Sequence, residues 1–459
     1  MIILKEEAKQ AISIRLPEKV KYIIDTIQAA GFEAYAVGGC IRDSILGREP
    51  NDWDITTSAK PEEIKGLFRH TVDTGIQHGT VTVLLEKENF EVTTYRIDGE
   101  YEDSRHPKSV AFTDSLREDL RRRDFTINAM AYNEAGGLVD VFGGMEDLRN
   151  GIVRCVGDAE ERFGEDALRM LRAIRFSAQL GYTIESKTLE AIRSLAPSLT
   201  RISAERIQAE LVKLMISPHP EYIRVAYDTG VTSVFFPEWD KAMQTPQKHP
   251  HHCYGVGEHI LQSLTEIPAD KVLRLSMLLH DIAKPEVIET DDDGVTHFHG
   301  HAVKGEVMAR EILRRLKFDN DTINKVCKLV RYHDYGNGGA LPNRRTVRRA
   351  VNKIGEELFP CLLLIKKADI LAQSEYLRQE KLENLEAWKN CYEEILAAGE
   401  CVSLKTLAVS GKDLIEAGIE PGKKLGDILK LLLEEVLEEP EKNTREYLLS
   451  RTFEVVKEA

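Results

Sequence analysis

Residues 35–57, AYAVGGCIRDSILGREPNDWDIT, set two glycines, an Arg-Asp pair and an Asp-x-Asp beside two short apolar runs. Side chains alternate along a strand, so Asp52 and Asp54 are expected to converge on one face with Trp53 turned away. Two converging carboxylates are costly unless a cation neutralises them. Hard oxygen ligands favour Mg²⁺, which keeps waters and shares itself with substrate phosphates. Gly38 and Gly39 let the backbone turn tightly and approach phosphate oxygens. Arg42 can then fork onto those oxygens. An isolated D-x-D also fits a strand edge with solubilising acids. The ordered set of strand, Gly-Gly, Arg-Asp and D-x-D points instead to a nucleoside triphosphate, a metal and phosphoryl transfer.

The chain of 459 residues is too long for one ordinary core, so about two to four domains are expected. Its 42% apolar and 30% charged content is that of a soluble globular protein. No apolar run is long enough to span a membrane, and no signal peptide is read at the N-terminus. The seven scattered cysteines include no CxxC, which suits a reducing, cytoplasmic setting. A net charge of −14 taken alone argues against nucleic acid. Charge is local, however, and REDLRRR (117–123) and RRTVRRAVNK (344–353) are basic islands. Composition therefore neither supports nor excludes RNA.

An amphipathic helix is expected over 20–33, leading into the strand AYAVGG, with further strands at 81–86, 90–97 and 137–142. These short β-branched runs, interleaved with helical stretches, predict a mixed α/β domain over 1–150. Helical periodicity dominates afterwards, so the fold class is α+β. The expected divisions are a helical neck over 151–245, a second helical domain over 246–375 and a helical tail over 376–459. Two prolines and a His cluster in TPQKHPHH mark the break near 245.

A helix is expected over 163–180. At 100° per residue, Ala167, Leu171, Ile174 and Ala178 form its buried stripe, and Asp166, Arg169 and Arg172 step around the other side. Arg175 sits at the stripe's edge. Such a row is also what a salt-bridge ladder looks like.

The opening stretch resembles the nucleotidyltransferase motif of the DNA polymerase beta superfamily. More narrowly, it resembles the class II tRNA nucleotidyltransferases (CCA-adding enzymes) and bacterial poly(A) polymerases. Segments 96–112, 120–132, 162–176 and 411–429 resemble, in order, that family's flexible loop, ribose-recognition motif, nucleotide-template motif and tail. The resemblance implies that Asp52 and Asp54 hold Mg²⁺, with Glu91 a candidate third carboxylate. It implies that Arg123, Asp124 and Asn128 lie near sugar and phosphates, the last two sharing a helix face. Asp166 and Arg169 would read the Watson–Crick edge of the incoming base, with Arg172 and Arg175 in support. C and A share an exocyclic amine beside a ring acceptor, so one acid and one Arg can take both and refuse U and G. The implied partners are the tRNA 3′ acceptor end, ATP and CTP, with no membrane. An enzyme adding only A or only CC, a poly(A) polymerase, or an RNA-binding protein with an inactive head shares these motifs. The complete loop at 96–112 leans away from CC-only addition.

Residues 249–301 hold HPHHCYGVGEHIL, LRLSMLLHDIAKP and HFHGHAVKGE, followed by LVRYHDY (329–335) and KKADILAQ (366–373). Paired His-Asp at the end of an apolar helix, with further His and a distant Asp, is a metal-site pattern. Imidazole with carboxylate suits Mn²⁺, Fe, Ni²⁺ or Zn²⁺. This region resembles the HD phosphohydrolase superfamily. The resemblance implies His259, His280, Asp281 and Asp369 as ligands of a divalent metal, with His301 and His333 completing a second position. His251, His252 and His297 are set aside as bystanders. The implied activity is phosphatase or cyclic phosphodiesterase action on RNA ends or nucleotides; the alternatives are an HD phosphohydrolase with an inactive head and a degenerate set serving only as an RNA-binding scaffold.

Overall fold

A computed structural model of the protein describes residues 12–99, 110–336 and 341–458. The N-terminal residues read for a signal peptide fall mostly outside them, as does most of the expected loop at 96–112. Among the described residues, no helix is long and apolar enough to cross a membrane.

The chain forms two compact units, Met1–Phe235 and Phe236–Ala459. The first opens with the helix Glu18–Ala29, which buries Val20, Ile23, Ile24 and Ile27 at helical spacing. Gly31, at a φ of +89°, turns the chain after it. A sheet follows, built from β1 (Ala34–Val37), β2 (Asp54–Thr57), β3 (Thr71–Gly75), β4 (Thr80–Leu85) and β5 (Glu88–Thr94). A separate ribbon pairs β6 (Arg96–Asp98) with β7 (Val110–Phe112). Then β8 (Met130–Asn133) and β9 (Gly137–Asp140) complete the sheet in the order β3-β4-β5-β2-β1-β8-β9. Only β2 and β5 run parallel; the other pairings are antiparallel. The expected strands are present, and β3, β7 and β8 are additions. The β3 sequence, TVDTG, leaves most of its side chains exposed, so it carries no apolar alternation to read.

Two local expectations change. The helix over 163–180 is broken into Ala159–Glu165 and Leu168–Leu180. Asp166 takes an extended backbone, and its carboxylate accepts the Leu168 N–H at 3.1 Å. A short acidic side chain thereby competes with the helix for backbone donors. The buried stripe itself holds: Ala167, Leu171, Ile174 and Ala178 are all buried. Asp124 and Asn128 do not share an α-helix, because only a 3₁₀ turn, Thr126–Asn128, forms there. The neck is not purely helical either, since Ile152–Val153 pairs in parallel with Thr183–Ile184.

The second unit begins ahead of residue 245, because the helix Pro237–Gln244 packs on Val256–Thr265. The helices Lys271–Leu279, His301–Arg315, Asn320–Tyr332 and Phe359–Ala372 surround its core, and Arg378–Ala397 packs along the last of these. A tail core follows, centred on Leu414, Leu432, Val436, Leu437 and Leu448. Trp239 is fully buried and stacks on Phe236 with centroids 6.2 Å apart. Trp239→Ala is expected to remove about 3–5 kcal/mol. Urea unfolding should show that loss in the transition of the second unit, with the first unit's transition unmoved.

Candidate functional site

The first site is built on the turn after β1 and on the start of β2. Gly38 has a φ of +88°, and a Cβ there would lie 2.9 Å from Arg123 Nη1. Glycine is therefore needed both for the backbone and for the approach of Arg123. Gly39 opens the short helix Gly39–Ile45. Asp54 begins β2, and Asp52 lies just before it; both are exposed. The parallel register, Ile55 beside Val92, brings Glu91 alongside Asp54. The protein packed behind Asp54 raises its proton affinity, Arg123 lowers it and Asp52 raises it again. Glu91 is raised by burial, then by Asp54 and Asp52. These three carboxylates feel one another, which is the donor set a hard cation relieves.

A buried carboxylate organises the cations around them. Asp119 accepts from Thr56 Oγ1 at 2.9 Å and from Arg122 Nε at 2.9 Å, and lies 3.7 Å from Arg123 Nη2. Burial would raise its proton affinity, but the two arginines and Thr56 hold it down. Among the described residues, the buried Arg123 Nε has no hydrogen-bond partner. Arg42 donates to both oxygens of Asp43 at 2.9 Å and to Asn128 Oδ1 at 2.6 Å. Asn128 in turn donates to Asp124 Oδ1 at 3.1 Å.

The neck supplies the other wall. Arg172 donates to Asp124 Oδ2 from Nε at 2.9 Å and from Nη2 at 2.6 Å. Burial opposes the charge on Asp124, but Arg172 and Asn128 outweigh it and hold the carboxyl far below the usual range. Arg175 is spent inside the neck, on Glu210 and Gln179, both at 2.8 Å. The guanidiniums of Arg42, Arg172 and Arg175 all lie over the Phe176 ring, at 4.9, 5.5 and 3.5 Å from its centroid. Asp166 and Arg169 do not pair with each other. Arg206 holds both oxygens of Asp166, at 3.2 and 2.7 Å, while Arg169 Nη1 bonds Glu165 at 2.5 Å and its Nη2 bonds the Arg122 carbonyl at 3.1 Å.

The second unit gathers all six expected metal ligands into two groups, His259–His280–Asp369 and Asp281–His301–His333. Each imidazole turns Nδ1 to a backbone carbonyl: Ala372 for His259, Met277 for His280, Phe298 for His301 and Val330 for His333. Those partners assign the proton to Nδ1 and aim Nε2 inward. His259 Nε2 lies 3.3 Å from His280 Nε2, and His301 Nε2 lies 3.1 Å from His333 Nε2. Asp281 spans both groups, with Oδ2 3.3 Å from His280 and Oδ1 3.5 Å from His301. Lys284 Nζ bonds Asp281 Oδ2 at 2.6 Å.

Several of these partners were not singled out in the sequence. Glu165 and Lys284 had a signal, being four residues before Arg169 and three after Asp281. Asp43 and Asp119 lie inside the quoted motifs. Arg206 and Glu210 are separated from their partners by a whole helix pair, and local spacing gives no sign of them.

Family models match three segments: "Poly A polymerase head domain" over 34–154, "Probable RNA and SrmB-binding site of polymerase A" over 181–243, and tRNA nucleotidyltransferase domain 2 over 288–451. The head site thus sits on a poly(A)-polymerase-type nucleotidyltransferase scaffold. A CCA-adding enzyme of Lactiplantibacillus plantarum is 36% identical over 434 residues, covering 94% of this chain and 95% of that one. Another, of Enterococcus faecalis, is 38% identical over 429 residues, covering 93% of each. The crystal structure of a Bacillus stearothermophilus CCA-adding enzyme in complex with CTP superposes with a TM-score of 0.69 at 29% identity, covering 95% of this chain and 98% of that one. The chain belongs to the CCA-adding enzyme family. The match over 288–451 is to a tRNA nucleotidyltransferase domain and does not show the HD-type domain expected over 246–375.

The raised proton affinity of Asp54 has a stability consequence. Its ionised form is disfavoured in the folded protein, so stability falls as pH rises through and above the ordinary carboxylate value of 3.8. Metal-free Asp54→Asn should therefore melt higher than the parent at neutral pH, and the two should converge below the carboxylate range. Thermal melts in chelator across that range check this.

Proposed function

We infer that the chain is a template-independent tRNA nucleotidyltransferase that adds C, C and A to the tRNA 3′ end from CTP and ATP. The observation that carries the reading is the pairing of a carboxylate trio beside Arg123 with an acid and arginine set on the neck, joined to the head by the Arg172–Asp124 ion pair. Asp52 and Asp54, with Glu91 beside them, would hold Mg²⁺, whose charge assists the 3′-hydroxyl and the triphosphate. The hydroxyl oxygen forms a bond to the α-phosphorus, and the bond to pyrophosphate breaks. The Gly38 turn brings backbone close to the triphosphate. Arg123, whose Nη1 lies at the Gly38 turn, donates to its oxygens. The Asp124–Asn128 pair lies where the ribose would be read.

Asp166 and Arg169 act as the template. Asp166 accepts the exocyclic amine of C or A, and Arg169 donates to the neighbouring ring acceptor. Arg206 and Glu165 hold the two in aim, so an unmatched base meets a donor or acceptor it cannot satisfy. Arg172 clamps Asp124, and Arg175 braces the neck helix. Asp166→Ala is expected to admit U and G at about a tenth or more of the rate for C and A, with triphosphate affinity changed far less. Separate incubations with each labelled nucleotide test this; full C and A selectivity in the variant would remove Asp166 from the template.

The histidine cluster supports a second reading, a pair of divalent metals with phosphohydrolase activity. With Nδ1 turned to a backbone carbonyl, the paired Nε2 atoms lie 3.3 and 3.1 Å apart, where a shared cation could be ligated. His259, His280 and Asp369 would hold one metal and His301 and His333 the other, with Asp281 between them. Mn²⁺, Fe, Ni²⁺ or Zn²⁺ would supply an activated water for phosphate-ester hydrolysis. Asp281→Ala should abolish Mn²⁺ uptake and Mn²⁺-dependent phosphatase activity while nucleotide addition continues. Asp52→Ala should do the reverse.

A further inference from the structure

A cavity of about 980 Å³ opens over the histidine cluster. That is the upper end of the range for small-molecule sites, far larger than inorganic phosphate requires. Its lining extends past the expected boundary at 375: Lys381, Asn384 and Leu385 of the helix Arg378–Ala397 form part of the wall. The segment read as tail therefore completes this site.

Three lysines line the cavity, and they differ in what they do. Lys284 is committed to Asp281 at 2.6 Å and Gln247 at 2.7 Å. Lys366, buried one helical turn before Asp369, donates to the Tyr335 carbonyl at 2.7 Å. Lys381 is held by Gln373 Oε1 at 2.6 Å and His251 Nδ1 at 3.0 Å. An ammonium has three donors, so Lys381 keeps one beyond this pair. Neither of its partners carries a negative charge. Four carboxylates share the lining, Asp334, Asp369, Glu380 and Glu383; the last two are exposed, and Asp369 supports the charge on Lys381 that burial opposes.

The opposite character of the cavity is aromatic. His249 and His251 stack at 5.0 Å and 22°, and His297 and His299 at 5.8 Å and 2°. His249 and His297 meet edge-on at 6.2 Å. Burial first, then neighbouring cations, lower the proton affinity of His249 and His251, which keeps the first stack neutral. Neutral flat rings beside a cation are how proteins hold a nucleobase next to its phosphate.

We propose that Lys381, fixed by His251 and Gln373, is the phosphate-binding residue of this cavity, and that the His249–His251 stack seats the base of a nucleotide or RNA-end phosphate ester. This rests on the metal-cluster reading for the chemistry but not for the binding.

The test is equilibrium dialysis of full-length protein with labelled GMP, with and without Mn²⁺, against ribose 5-phosphate as the base-free probe. GMP should bind about tenfold more tightly than ribose 5-phosphate. Lys381→Met should weaken both by about tenfold, with Lys381→Arg restoring most of the loss. His249→Ala should weaken GMP alone. Equal affinity for the two probes, no GMP binding, or a Lys381→Met affinity within twofold of the parent would overturn the proposal. Mn²⁺ uptake measured on the same samples separates the two readings. Loss of uptake with Lys381-dependent GMP binding intact would reject the metals and keep the nucleotide site.

Discussion

The buried ion pair between Asp124 and Arg172 is the constraint on which the nucleotidyl-transfer site depends. Asp124 is nearly inaccessible, and each of its oxygens is used: Oδ1 by the Phe125 N–H and Asn128, Oδ2 by Arg172. A buried carboxylate survives ionised only with such complete satisfaction. One end of the pair belongs to the ribose motif and the other to the neck helix, so head and neck keep one geometry. Phe125 packs edge-on against Phe176 at 5.7 Å, and Phe176 carries three guanidiniums over its ring. Removing Arg172 would leave an unpaired buried charge and free the wall that carries Asp166 and Arg169.

The two candidate sites solve opposite electrostatic problems. In the head, exposed carboxylates raise one another's proton affinity, with Arg123 opposing that rise at Asp54. In the second unit, buried imidazoles and carboxylates are oriented in advance by backbone carbonyls, and Asp281 reaches both halves of the cluster.

Much of this was legible because the chemistry is local. The D-x-D, the Gly-Gly turn and the His-Asp pair each place their donors within a few residues, and all six expected ligands of the cluster do converge. The helix break at Asp166 was not legible, because periodicity continues through it; the break comes from one carboxylate taking a backbone donor. Arg206 was invisible for a different reason. Its bond to Asp166 joins positions 40 apart in sequence, and nothing in local pattern distinguishes it from any other helix arginine. The edge strand β3 was missed because its exposed residues do not alternate. The contribution of Lys381 to the cavity was hidden by a domain boundary drawn on composition.

The central claim is that protein side chains at the head–neck joint choose C and A. Its most direct measurement uses purified protein, Mg²⁺, CTP and ATP with three tRNA transcripts, ending before the CCA, after the first C and after CC, each product read by sequencing its 3′ end. The account predicts completion to CCA from all three, followed by a stop. Long A tails, A added without C, or no addition to a tRNA that nonetheless binds would contradict it.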